Sequence, residues 1–361
     1  MRTTTVALLA VAALAGCKGK AALINKLSSG SAESDSPVAN DQPEQDDDSD
    51  EARAKRVAAV FPNGPATEHF EPTVKLSSLP PAAVIDPADG WVLELSLHTP
   101  LTITQISDAL DPLPTTTSTV TTGARQGDGA WIDVTLEDSL PESTTFDRVA
   151  VELPFVAPDG PLTAKDIAEV STWIGRSNTK LNAGTAVPSI KAEAALVRAQ
   201  KVAAVLKSVE DTSDMVLTIS RADGAPIPLR LAWDAMYSAG YVWAGDLMQW
   251  IPSEGFHGLY SFTGTDSGLW TPEDANDPMA TTEDIHIHFS IPVNAQPERM
   301  LDVLVQQARY IAKRVGGQVI DNETDRPVNE RLLRQRVAGQ LKILTNAGLS
   351  PGSPLVTGYF Y

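Results

Sequence analysis

The chain has 361 residues, 42 % of them hydrophobic, enough for two ordinary domains and a tail. A net charge of −18 with no stripe of clustered Lys and Arg argues against nucleic acid as a partner, because binding a phosphate backbone takes basic surface. One cysteine, Cys17, leaves no intrachain disulfide, no Cys-based metal site and no thiol nucleophile in the fold.

At the N-terminus, Arg2 precedes an unbroken apolar run from Val6 to Ala15, which ends in Leu14-Ala15-Gly16-Cys17. The run is about half the ~20 residues that span a bilayer as a helix. A short apolar core closed by small residues reads as an export signal. Its Leu-Ala-Gly-Cys ending resembles the bacterial lipobox. That resemblance implies that residues 1–17 are a lipoprotein signal and that Cys17 carries the lipid holding the mature protein on a membrane. Lys18 follows, not Asp, which implies outer-membrane delivery facing the periplasm. The alternatives are an uncleaved anchor, or a soluble signal with a chance cysteine.

Residues 18–81 read as a disordered tether. Nine acidic residues and no basic one lie between Glu33 and Glu51. Such a stretch buries too little apolar surface to offset the entropy of ordering, and its charges repel one another. As a coil, about 60 residues hold a folded part roughly 40–45 Å from the membrane. An acidic interaction tail is the alternative reading.

Beyond the tether one pattern occurs twice, over residues 82–210 and 211–350, with a tail at 351–361. Each copy opens on an alternating strand. Trp91, Leu93 and Leu95 share one face in the first, and Met215, Leu217 and Ile219 in the second. A short apolar helix follows: Thr102 to Leu110, then Leu229 to Ala239. Two further strands are expected at Thr115–Thr122 and Ala130–Glu137, then at Tyr241–Trp250 and Leu259–Thr263. The fourth strands, Val149 to Pro154 and Ile287 to Pro292, again alternate. Thr163 with Asp166 forms a capping box for a long helix, and Pro297 suits the first turn of its counterpart. A last amphipathic helix closes each copy, Lys191 to Val209 and Asn329 to Leu344. The order implies α+β architecture: two tandem units, each a mostly antiparallel sheet with helices packed on one face.

The second copy carries an ordered string of local features. These are Ala239-Gly240-Tyr241, Gly245-Asp246-Leu247, Leu259-Tyr260-Ser261-Phe262 and Gly268-Leu269-Trp270-Thr271-Pro272. Thr281-Thr282, Ile291-Pro292 and Gly316-Gly317-Gln318-Val319-Ile320-Asp321 follow. Over about residues 214–348 this string resembles the C-terminal, FtsZ-binding domain of the cell-division protein ZipA; residues 90–209 match in element order alone, as a diverged copy would. The resemblance implies a sheet whose uncovered face binds a short peptide, in that family the C-terminal tail of FtsZ, and a link to division or septum formation. Carried onto this chain, the peptide-binding positions are Val216, Thr218, Leu247, Gln249, Ser261, Thr263, His286 and His288. Alternation places Ile285, Ile287, Phe289 and Ile291 on the opposite, inward face.

Spacing of two on a strand also brings His286 and His288 to one side, as a metal pair would need, with Asp284, Glu283 or His257 as a third ligand. The simpler reading is two histidines on a sheet face. No Gly-x-Ser-x-Gly elbow, Walker-type loop or dinucleotide fingerprint occurs, so a non-enzymatic protein without a cofactor is expected. Its expected partners are a peptide or protein segment and, through the lipid, a membrane. Trp243 and Trp250 bracket the strand that borders the groove and are candidates for an exposed anchor. The competing functional readings are a structural cell-envelope lipoprotein with no open groove, and a metal-binding protein using His286 and His288.

Overall fold

The computed structural model describes residues 50–60, 70–74, 76, 83–114, 116, 119–135, 140–141, 143–244, 247–250, 259–263 and 271–360. Residues 50–360 cluster as one compact body. Within it, two antiparallel sheets each carry their own core.

The first described element is helix α1 (Asp50–Val60). The first lobe begins with β1 (Gly90–Thr102), whose alternation buries Trp91, Leu93 and Leu95. Its last residue, Thr102, caps helix α2 (Ile103–Leu110) reciprocally with Gln105. Strands β2 (Thr121–Arg125), β3 (Ile132–Asp133) and β4 (Thr145–Pro154) follow, then the short pair β5 (Val156–Ala157) and β6 (Gly160–Pro161). Helix α3 (Ala164–Leu181) has the Thr163–Asp166 capping box and ends at Asn182 in the left-handed conformation. The Trp173 indole N–H donates to Leu110 O at 3.0 Å and fixes α3 against α2. Strand β7 (Val187–Pro188) and helix α4 (Ala192–Glu210) complete the lobe. Strand order is β3-β2-β4-β1-β7.

The second lobe runs through β8 (Asp214–Arg221), β9 (Ile227–Pro228), α5 (Leu229–Ser238), β10 (Val242–Ala244), β11 (Leu247–Trp250) and β12 (Leu259–Thr263). Helix α6 (Pro272–Asn276), β13 (Thr281–Thr282), β14 (Asp284–Ser290), α7 (Pro297–Val315), β15 (Gly317–Asp321), β16 (Arg326–Pro327) and α8 (Glu330–Asn346) follow. The sheet order is β10-β11-β12-β14-β8-β15-β16. Leu217 pairs with Ile287, and Ile219 with Ile285; all four are buried beneath α5 and α7. Gly316 ends α7 at φ 71°, a conformation that costs glycine little.

Both lobes therefore share a three-strand centre, β4-β1-β7 and β14-β8-β15, and differ outside it. In the first lobe the earlier of the two middle strands, β2, lies beside β4. In the second it is the later one, β12, that lies beside β14. Several expected elements also move. The strand expected at Thr115–Thr122 forms at Thr121–Arg125, and the one over Ala130–Glu137 is two residues long. The single strand expected over Tyr241–Trp250 is two, β10 and β11, paired with each other.

Parts of the segment expected as a disordered tether and of the expected C-terminal tail are built into the body. Helix α1 falls in the stretch assigned to the tether, yet Val60 is fully buried in the second core. Farther on, the Phe70 N–H donates to Ser238 O at 2.7 Å, its ring stacks on Tyr310 at 4.6 Å, and the Thr73 N–H donates to Gln306 Oε1. The expected tail contains helix α9 (Pro354–Phe360), and Leu355 and Val356 sit in the first core. Helix α8 joins the lobes, with Leu333 and Val337 in the second core, Leu344 in the first, and the Gln340 side-chain amide donating to Thr212 O.

Candidate docking face

The outer face of the second sheet, opposite α5 and α7, is built from strand parity. Along β14, Ile285, Ile287 and Phe289 are fully buried while Asp284, His286, His288 and Ser290 alternate with them. His286 pairs across the sheet with Thr218, and His288 with Val216. Thr218 pairs in turn with Ile320 on β15, and its hydroxyl lies 3.1 Å from Asn322 Oδ1. Val216 and Ile320 are half-buried.

Each imidazole stands beside a carboxylate. His286 Nε2 is 3.3 Å from Asp284 Oδ2, and His288 Nδ1 is 3.9 Å from Asp214 Oδ2. The rings keep only 14 % and 17 % of their exposure, so the centre of this face is not open ground. Burial holds the His288 pKa below the ordinary histidine value; Asp214 opposes that shift and His286 adds to it. His288 is consequently neutral at pH 7 and offers hydrogen bonds instead of charge.

The register relocates two expected positions. Tyr260 pairs with His288 and Phe262 with His286, whereas Ser261 pairs with Ile287 and Thr263 with Ile285. Directly paired residues share a face, so Tyr260 and Phe262 hold the outward register positions, and Ser261 and Thr263 the inward ones. Gln249 pairs with Tyr260 and keeps the outward position expected of it, as does Leu247 two residues earlier. Val242, paired with Gln249 on the edge strand, is 50 % exposed. By register the face is thus richer in aromatic and aliphatic positions than alternation within single strands suggests. The candidate anchors Trp243 and Trp250 instead pack on the core, Trp243 buried and Trp250 half-buried.

A metal at the histidine pair lacks a third ligand among the described residues, where no group of three or more His, Cys, Asp or Glu is placed to hold one. Asp284 faces His286 through Oδ2 alone. His257 and Cys17 lie outside the described residues. No described helix is long and apolar enough to cross a membrane.

The first lobe carries a group of acids that single-strand reading passed over. Glu152 stands on the outer face of β4, 8 % exposed, and accepts the Asp86 N–H at 2.7 Å. Burial first, then the charges of Asp89 and Asp86, push its pKa up to about 7. Asp89, also raised by burial, accepts hydrogen bonds from the Ser353 hydroxyl and the Leu355 N–H. The sequence signal is a Glu inside the otherwise apolar stretch at residues 149–154, the usual mark of a paired or proton-holding carboxyl. No family model matches this chain, and no curated protein matches it.

Proposed function

We propose that this chain is an exported, non-enzymatic lipoprotein, anchored by lipid on Cys17, whose second lobe docks a peptide or protein segment on its outer sheet face. The observation that carries the docking reading is the strand register. It sends every large aliphatic of β14 toward the helices and leaves Val242, Leu247, Tyr260, Phe262, Val216 and Ile320 at outward positions around two imidazoles. An apolar strip on a sheet face is where an amphipathic segment gains burial, at ~25 cal/mol per Å². The resemblance of residues 214–348 to the FtsZ-binding domain of ZipA points the same way, toward a tandem of such units. An exported lipoprotein, however, does not meet cytoplasmic FtsZ, so the ligand expected here is an envelope segment. A photo-crosslinker at Val216 in cells tests this: docking predicts a discrete adduct from the envelope fraction that Phe262→Asp abolishes. An adduct with FtsZ itself would sink the export reading, and no adduct would sink docking. For the anchor, Cys17→Ala should lose both lipid labelling and membrane fractionation.

One observation favours a second reading, a structural envelope lipoprotein without a groove: the low exposure of both rings. Histidine acylation by diethyl pyrocarbonate separates the two. An accessible face modifies His286 within about tenfold of the exposed His98, whereas a closed one leaves it unmodified until the protein unfolds.

A further inference from the structure

Helix α1 sits on the second lobe in a way that separates the seat from its occupant. Arg56 makes a two-pronged ion pair with Glu273 on α6, Nε to Oε1 at 2.9 Å and Nη2 to Oε2 at 2.8 Å. The same guanidinium lies 4.8 Å above the Trp243 ring. One turn on, Val60 is buried in the core, with Val57 partly buried beside it. Beneath them is an aromatic group. The Trp233 and Trp243 rings are 6.4 Å apart, and Tyr237 stacks on Trp233 at 5.7 Å.

Two features show that α1 fits this seat incompletely. The indole Nε1 groups of Trp233 and Trp243 are both buried, and among the described residues neither has a hydrogen-bond acceptor. Buried donors are almost always paired, because leaving one bare forfeits its hydration. Apart from Val60, the hold is also light. An eleven-residue helix is marginal without its contacts, and the Arg56–Glu273 pair is 31 % and 59 % exposed, where ion pairs add little and are screened by salt.

We propose that this seat is a docking site for a basic amphipathic helix of a partner protein, and that α1 occupies it in cis until displaced. The partner helix carries Arg at the Arg56 place, for Glu273 and the Trp243 face. It carries a β-branched aliphatic one turn later and a side-chain carbonyl or carboxylate as acceptor for an indole N–H. Neither the lipid anchor nor the sheet-face reading is needed for it.

The test uses the full chain carrying Cys17→Ala, with a labelled synthetic peptide of residues 50–60 as the trans probe. Arg56→Glu sets like charges against Glu273 and frees α1. Tryptic cleavage after Arg53 should accelerate at least tenfold, tryptophan emission should shift red, and the peptide should bind at least tenfold more tightly than to the unaltered chain. A peptide with Arg56→Gln should lose most of that gain. Should Arg56→Glu melt the fold by circular dichroism, Glu273→Gln supplies the milder release, with cleavage about threefold faster in an intact fold. Equal peptide binding to both chains, or to neither, overturns the proposal. So does concentration-dependent dimerisation of the unaltered chain that Arg56→Glu abolishes, which would make α1 an exchange element between copies.

Discussion

The outer faces of the two sheets share a three-strand centre and carry different chemistry. On the first, Ile85 lies over Gly123 and packs with Val92 and Ala150, with Trp131 alongside, and seals the strands. A Cβ on Gly123 would stand 2.7 Å from Ile85, so that residue must be glycine for the seal to close. Beside the seal lie a buried Glu152 and a Glu94 that bridges Arg125 and Arg148. On the second, the equivalent centre holds two imidazoles, each beside an acid. The helix-facing sides are both apolar layers; the lobes differ most on the sides the helices leave uncovered.

The largest expected effect tests the seal. Ile85→Ala removes a side chain that is 4 % exposed, and large-to-small changes at such sites cost about 2–5 kcal/mol. We expect about 3 kcal/mol by urea unfolding, against less than about 1 kcal/mol for His286→Ala on the other face. Equal costs would mean that Ile85 is an ornament of the first face, and that the two faces are equally open.

Next comes Glu152. Its pKa rises from an ordinary 4.5 to about 7 on folding, so the folded state binds a proton that the unfolded chain has released. Its contribution is fully present below pH 4.5 and is lost as pH rises toward and through 7. At 1.36 kcal/mol per pKa unit the loss is about 3 kcal/mol. Glu152→Gln keeps an acceptor for the Asp86 N–H and cannot ionise. At pH 8 the variant should unfold at higher urea than the unaltered chain, by about 2–3 kcal/mol, and at pH 4 the two should coincide. Curves that stay parallel across this range would mean that Glu152 is solvated. Asp89, shifted in the same direction by burial, remains in both chains and leaves a residual slope.

Much of this architecture could be read in the sequence, for local reasons. The Thr163–Asp166 box, the left-handed Gly316 and the burial of Ile103, Ile106 and Leu110 on α2 follow from contacts within a turn or two. Parity across a sheet does not. Within β12 alone, Ser261 and Thr263 alternate with Tyr260 and Phe262 whichever set faces out, and only pairing with His286 and His288 decides. Likewise β10 and β11 read as a single strand because apolar residues continue across residues 241–250, although Gly-Asp at 245–246 is a sequence that favours a hairpin turn. Helices α1 and α9 are illegible in the sequence for a third reason. One begins at the end of an acidic run and mixes both charge signs, and the other has Gly358 in its short span, so neither shows strong periodicity. Each is held by a core elsewhere in the chain, through Val60 in one case and Leu355 and Val356 in the other.

The smallest expected effect sharpens the comparison most. His288 has a folded pKa below the ordinary 6.5, because burial disfavours the imidazolium more than Asp214 rewards it. The folded state therefore prefers the neutral ring. That contribution is present above pH 6.5 and is lost as pH falls through the folded-state value, the opposite direction to Glu152. The first face should thus weaken the protein on the alkaline side and the second on the acid side. Replacing His288 with Asn, which cannot titrate, should flatten the acid limb of the stability–pH curve and leave the alkaline limb unchanged. Glu152→Gln should do the reverse, and in the double variant the two changes should add, because the groups lie in different lobes. A His288 ring that titrates at or above 6.5 by NMR would place it in water. It would then strengthen the docking reading of that face against the closed one.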